Sequence, residues 1–307
     1  MNFSDNLAAL VYFKNKVHKW KNIAVLLGVF SLLLSLKLLF GIDLSSNVID
    51  GDYIASIKIE GAIFNDEYRT KILEDLANDN NAKAVIVNID SPGGEIVGSE
   101  ILYNNLRAIN QKKPIAVLMY SAGASGAYMA SLASDFIVVH NGTLTGSIGV
   151  LMESPEFTDL ASKVGVKFNI YKSSPLKGSP SPYEKSNQLV EKVIKESIED
   201  SYHFFSGLVE ERRGNLLNKK FYNEIFDGRV FTGRQAVLAG LVDKIGSKDD
   251  ILNYFQTKKI DAKNLTIREI EIIKKDKKFL ENFLGYIPFL NQKNIIGNKP
   301  KIMAILQ

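Results

Sequence analysis

Two glycine-rich turns hold the residues whose types and spacing could do chemistry. In SAGASGAYMASLAS (121–134), Ser125 follows the apolar run IAVLMY (115–120) and opens a stretch of small residues. A serine at such a strand-to-helix turn has the helix dipole behind it. The next backbone N–H, that of Gly126, then points at any oxyanion formed by attack on a carbonyl. Serine is equally at home there as an N-cap, and local sequence leaves the two roles level. The second turn, Ser-Pro-Gly-Gly at 91–94, comes directly off the buried run AKAVIVNID (82–90). Its glycines, Gly93 and Gly94, expose N–H groups beyond the carboxyl end of a strand, where open α/β sheets hold ligands.

A nucleophilic serine needs a base. The chain has no cysteine, which removes disulfides, thiolate nucleophiles, iron–sulfur clusters and cysteine zinc sites. It has three histidines, His18, His140 and His203, too few for a His-rich metal centre. Neither a metal nor a cofactor is expected. His140 ends a strand, and His203 sits on a long helix between Tyr202 and Phe204, a packing position. Lysine can replace histidine if burial disfavours its charged form. Lys177 lies in the loop SSPLKGSPSP (173–182), although spacing alone would leave such a lysine solvated. TLTGSIGV (143–150) adds the hydroxyls of Thr145 and Ser147.

The elements that must position these residues alternate. Strands are expected at 53–64, 82–90, 115–120, 135–140 and 168–172, and helices at 66–79, 98–110, 154–165, 184–213, 218–226 and 233–240. Short buried strands interleaved with helices indicate an α/β fold with parallel pairing. With 46% hydrophobic and 23% charged residues the chain can build a sizeable core. A net charge of +4 is too mild to argue for nucleic acid as a partner.

IAVLLGVFSLLLSLKLLFGI (23–42) carries one charge, Lys37, and is long enough to cross a bilayer. It reads as an uncleaved transmembrane anchor. Lys14, Lys16, Lys19 and Lys21 precede it, and Asp43, Asp50 and Asp52 follow. The positive-inside rule therefore puts residues 1–22 in the cytoplasm and everything after residue 43 outside, beginning with a polar linker at 43–51. Residues 257–307 hold eleven Lys/Arg against five Asp/Glu and join the basic run KKDKK to the apolar IPFL, a tail suited to an anionic lipid surface.

Five segments keep order and spacing together: VIVNIDSPGG (85–94), SAGASGAYMAS (121–131), TLTGSIGVLMES (143–154), YKSSPLKGSPSP (171–182) and DGRVFTGRQAVLAGLVDKIG (227–246). Through them residues 82–246 resemble the SppA family of signal peptide peptidases, membrane-anchored serine proteases of the S49 class. The resemblance implies a ClpP/crotonase-like superhelix of repeated β-β-α units over residues 52–256. It places the nucleophile on Ser125, the general base on Lys177, and the oxyanion donors on Gly93 or Gly94 and on Gly126. Ser147 is the expected orienting hydroxyl. Ala127 departs from the family's Ser-Gly-Gly-Tyr, which matters only if that residue needs a positive φ. The implied reaction is acyl transfer from apolar peptides, remnant signal peptides above all. The implied setting is a homo-oligomeric ring on the bacterial inner membrane with its catalytic domain on the periplasmic side. An acyl-CoA hydratase or isomerase of the same fold would require a cytoplasmic domain. A non-catalytic scaffold would have no need of both Ser125 and Lys177.

Overall fold

AVIV at 84–87 is buried at every position, as befits a strand covered on both faces of a parallel sheet. The computed structural model describes residues 20–22, 24–25, 27–32, 51–273 and 303–305. Within the unit Asp52–Gln307 the strands β1 (Tyr53–Ile63), β2 (Ala82–Glu95) and β3 (Ile115–Ala124) run parallel, with Ile57 opposite Val87 and Val87 opposite Val117. The helices α1 (Glu67–Asn78) and α2 (Ile96–Asn110) make the two crossovers. Asp66 starts α1 by accepting from Arg69 N at 3.1 Å, which satisfies one of the helix's otherwise unpaired donors.

The long strands change neighbours along their length. Register shifts interrupt the β1–β2 pairing between Glu60 and Ala62 and the β2–β3 pairing between Ile89 and Ser91. Such irregularities bend a strand. Before the bend, β3 pairs through Val117–Met119 with β4 (Ile137–Val139), which in turn pairs with β7 (Lys244–Ile245). After it, β3 pairs through Ala122–Ala124 with β5 (Leu144–Gly146), which continues to β6 (Val230–Thr232). The bend therefore opens at the level of the two glycine-rich turns.

Alternation along β2 divides the core. Val85 and Val87 face a large cluster with Leu73 of α1, Leu102 and Leu106 of α2, and Phe205 and Val209 of α5 (Gln188–Arg213). Ala84 and Ile86 face a smaller one with Ile251 and Phe255 of α8 (Lys248–Thr257). Between these, α3 (Gly126–Ser131) is wholly buried, α4 (Thr158–Lys163) and α6 (Tyr222–Ile225) are short, and α7 (Gly233–Ala239) starts on a Thr232–Gln235 capping box.

Some expectations are corrected. Residues 168–172 form no strand: Phe168, Ile170 and Tyr171 are exposed, and among the described residues no neighbouring strand supplies a ladder. The helix expected at 154–165 is confined to Thr158–Lys163, and α5 starts at Gln188 because Asn187 accepts from Leu189 N and Val190 N. His203 is exposed; the packing falls to Phe205. The sheet also takes in β8 (Thr266–Glu269), from within the segment read as tail, parallel to β1 with Thr266 opposite Tyr53. A further strand, β9 (Met303–Ile305), pairs with β2. In the unit Met1–Gly51, residues 20–22, 24–25 and 27–32 are helical. Among the described residues no helix is long and apolar enough to cross a membrane. The rest of 23–42, like most of the linker 43–51 and the run 274–290, lies outside the described residues.

Candidate active site

β3 ends at Ala124 and α3 begins at Gly126, so Ser125 alone makes the turn between them, at φ 55° and ψ −120°. A non-glycine residue there stores strain of about 1–3 kcal/mol and persists only where its surroundings fix it. Ser125 N donates to Gly146 O at 2.8 Å, and Ser125 O accepts from Met129 N at 2.9 Å, which fastens the turn to β5 and to α3. The side chain makes no capping hydrogen bond, and its backbone is far from the extended conformation of an N-cap. Of the two roles the sequence left level, the capping one is excluded. The residue is buried, 1% exposed. Ala127 is helical and does not take a positive φ, so replacing a glycine there costs nothing.

The Pro-Gly-Gly turn meets Ser125 from β2. Gly93 has φ 108°, which only glycine adopts without strain. Its N–H donates to Ser91 Oγ at 3.2 Å, while Ser91 Oγ donates to Gly61 O at 2.6 Å. The Gly93 N–H is thus spent on holding the turn to β1. Gly94 has no room for a side chain, since a Cβ would lie 1.9 Å from Ile63 O. A Cβ on Gly126 would lie 3.2 Å from Gly94 N and 2.1 Å from Ser99 Oγ. Gly94 and Gly126 are therefore neighbours, and the space between the turns is kept open by the lack of two side chains.

Ser147 lies one residue past Gly146, the acceptor for Ser125 N, and its own N–H donates to Arg229 O at 2.9 Å. It too has a positive φ, 51°. The Thr145 hydroxyl is committed to Gly123 O at 2.7 Å, pinning β5 to β3. Behind α3, Tyr128 is fully buried and donates to Leu241 O at 2.8 Å. Burial pushes its phenol far above the ordinary range, with Asp243 reinforcing and Arg213 opposing. The hydroxyl stays a neutral donor that holds α3 in place. Sequence reasoning missed Ser99, which is fully buried against Gly126 and, among the described residues, has no partner for its Oγ. The only signal was a small residue on the first turns of the helix that follows Pro-Gly-Gly.

Lys177 lies on the loop between α4 and α5. It is exposed, its N–H donates to Ser174 O at 3.1 Å, and among the described residues its side chain has no hydrogen bond or ion pair, to Ser125 or to any other group. The same loop carries Lys172, half-buried, ion-paired with Glu184 and donating to Ser179 Oγ at 3.2 Å. A cavity of about 480 Å³ lies in this region, lined by Met152, Ile170, Lys172, Glu184 and Val190 among others, and it includes neither Ser125 nor Lys177. The structure thus brings Ser125, Gly94 and Gly126 together with the β5 end that carries Ser147, and leaves Lys177 exposed on the loop before α5. His140 lies against Tyr120 and His203 against Tyr202.

The family model of peptidase family S49 matches residues 107–261. A protein of Methanocaldococcus jannaschii described as a protease is 30% identical over 249 residues, which cover 74% of this chain and 79% of that protein. A protein of Enterococcus faecium described as a signal peptide peptidase SppA is 35% identical over 188 residues, 61% of this chain and 54% of its own. Protease 4 of Haemophilus influenzae is 32% identical over 212 residues, 65% of this chain and 34% of its own length.

Proposed function

The chain belongs to peptidase family S49, and on that premise we propose that it is a membrane-anchored serine endopeptidase with Ser125 as nucleophile and Lys177 as general base. The observation that carries the reading is the backbone of Ser125, strained, buried and uncapped at the mouth of a strand-to-helix turn. Ser125 Oγ attacks the peptide carbonyl as the neutral Lys177 amine takes its proton. The N–H groups of Gly94 and Gly126 receive the developing oxyanion, and Lys177 returns the proton to the leaving amine. Water, deprotonated by the same amine, then releases the acyl-enzyme. Ser147 orients the lysine. The reading includes a ClpP/crotonase-type spiral of β-β-α units, supported by the common bend of β1 to β3.

Lys177 reaches Ser125 of a neighbouring copy. In support, the segment 154–187 stands off the core, with Ala161 its one buried residue and Phe157, Leu160, Val164, Val166, Phe168 and Tyr171 exposed. An apolar surface of that kind marks an interface. Substrates are extended apolar peptides, remnant signal peptides in the first place, and the domain lies on the outer side of the bacterial inner membrane behind the 23–42 anchor. Lys172, in the same loop, is already engaged by Glu184 and Ser179. The test is hydrolysis of an apolar peptide ester. Ser125→Ala and Lys177→Arg should each be inactive with the fold retained, since arginine keeps the charge and cannot give up its proton. An active Ser125→Ala chain would refute the nucleophile, and an active Lys177→Arg chain the base.

A further inference from the structure

A serine inside a helix commonly turns its hydroxyl back onto a carbonyl three or four residues earlier. Four helical serines of this chain do so. Ser131 donates to Tyr128 O at 2.6 Å, Ser197 to Val193 O at 2.9 Å, Ser201 to Ser197 O at 2.9 Å and Ser206 to Tyr202 O at 2.8 Å. Ser99, in the first turns of α2, does not. It is fully buried, and among the described residues its Oγ has no partner. A buried hydroxyl left in that state carries a desolvation cost that an alanine would avoid. Its surroundings give it a use. Ser99 Oγ lies 2.1 Å from the point where a Cβ of Gly126 would stand, and Gly94 N lies 3.2 Å from the same point. The unspent hydroxyl thus shares one small space with both glycines whose N–H groups are proposed to receive the oxyanion. Depth is no obstacle, since Ser125 is buried almost as completely. In addition, α2 opens without a side-chain cap on its first N–H groups, so the positive end of its dipole adjoins Gly94.

We propose that Ser99 is a third donor to the anion pocket between Gly94 and Gly126, its hydroxyl kept unpaired for the oxygen of the tetrahedral intermediate. The inference rests on the proposed peptidase reading for the identity of that oxygen. As the bond from Ser125 Oγ to the carbonyl carbon forms, the π pair of the C=O moves to oxygen, and the Ser99 O–H donates a hydrogen bond to it. The proton stays on Ser99. When the carbonyl re-forms and the C–N bond breaks, that hydrogen bond is given up. A donor that meets full charge only in the intermediate raises kcat and leaves substrate binding alone. Ser99 is then a residue that the resting fold would do better without.

The test compares the full chain in detergent with its Ser99→Ala variant, which loses one oxygen and no packing carbon. The melting temperature of the variant should be equal or higher. Its kcat on an apolar peptide ester should fall about a hundredfold at unchanged KM, the loss typical of one missing oxyanion donor. A boronic acid of the same peptide, which adds Ser125 Oγ at boron and becomes a tetrahedral anion, should bind the variant about a hundredfold more weakly. The uncharged peptide amide should bind both chains alike. Weakened boronate binding without hydrolysis by either chain supports the donor and counts against the peptidase reading. A variant that hydrolyses the ester at the wild-type kcat overturns the donor and leaves that reading standing. The proposal is also overturned by boronate binding that is equal in the two chains or absent from both. A fall in kcat matched by a fall in melting temperature overturns it as well, since Ser99 would then be a packing residue.

Discussion

Ser125, Gly94 and Gly126 are defined by what each must avoid. Ser125 keeps a conformation that serine shuns, and two backbone hydrogen bonds hold it there. Gly94 and Gly126 are kept small by backbone and side-chain atoms lying where a Cβ would go. The two glycines should fail differently. Gly94→Ala drives its Cβ into Ile63 O, a backbone atom that cannot rotate away, so β1 has to move. The expected result is a destabilisation of about 1–3 kcal/mol together with loss of activity, read by denaturant melts and ester hydrolysis. Gly126→Ala meets chiefly the Ser99 side chain, so in a Ser99→Gly background its folding defect should shrink. A defect of equal size in both backgrounds would show that Ser99 is not the obstacle. At this scale the turns were legible because strand, turn and small residues adjoin in sequence. Ser99 was not, because one serine on a helix has no pattern. Lys177 was singled out by resemblance, since nothing local distinguishes it from Lys172, and the pairing of Lys172 with Glu184 is what now separates the two.

At the scale of elements, α3 is held by what packs around it, and α5 is one of its clamps. Arg212 near the end of α5 donates to Leu132 O at 2.8 Å and pairs with Asp135 at 2.7 Å, and Asn110 donates to the same carboxylate at 3.1 Å. Burial alone would raise the Asp135 carboxyl, but the hydrogen bonds from Asn110 and Arg212 leave it below its ordinary 3.8. A carboxylate depressed in the folded state contributes stability above its unfolded value, and loses it as pH falls through the folded one. The melting temperature should therefore drop as pH is lowered below about 4, and Asp135→Asn should remove part of that acid dependence. The pair is half exposed, so its share is about 1 kcal/mol or less. An unchanged acid limb in the Asn variant would assign the loss to other carboxylates. The strands that lead to the site were legible because a strand covered on both faces must be apolar at successive positions, and runs such as AVIV and IAVLM are short and bounded by turn residues. FNIYK misled because its alternation has the look of a strand but finds no partner among the described residues. β8 was hidden because TIREIEI sits inside a segment whose net charge suggested a solvated tail.

The whole molecule is where the site is finished or left incomplete. A single copy holds Ser125 between the two glycine turns and near Ser147, and exposes Lys177, the proposed base, on an apolar arm. The arrangement makes sense if closed assembly of identical copies brings each arm onto the next copy's turn, a heterologous contact that can close into a ring. Two consequences follow from that geometry. A Ser125→Ala chain and a Lys177→Ala chain, each inactive alone, should recover activity when coassembled. A one-to-one random mixture should reach about a quarter of the wild-type rate, because a working site needs the serine of one chain type beside the lysine of the other. Sites built within one chain would recover nothing. Replacing Val166, Phe168 and Ile170 with serine should spare the fold, since all three are exposed in the single chain, while lowering the mass seen by light scattering and the activity together. If the triple variant lost its assembly and kept its rate, the arm would serve only to hold copies together. The base for Ser125 would then have to come from within the chain, by a movement of the 173–182 loop toward the turn.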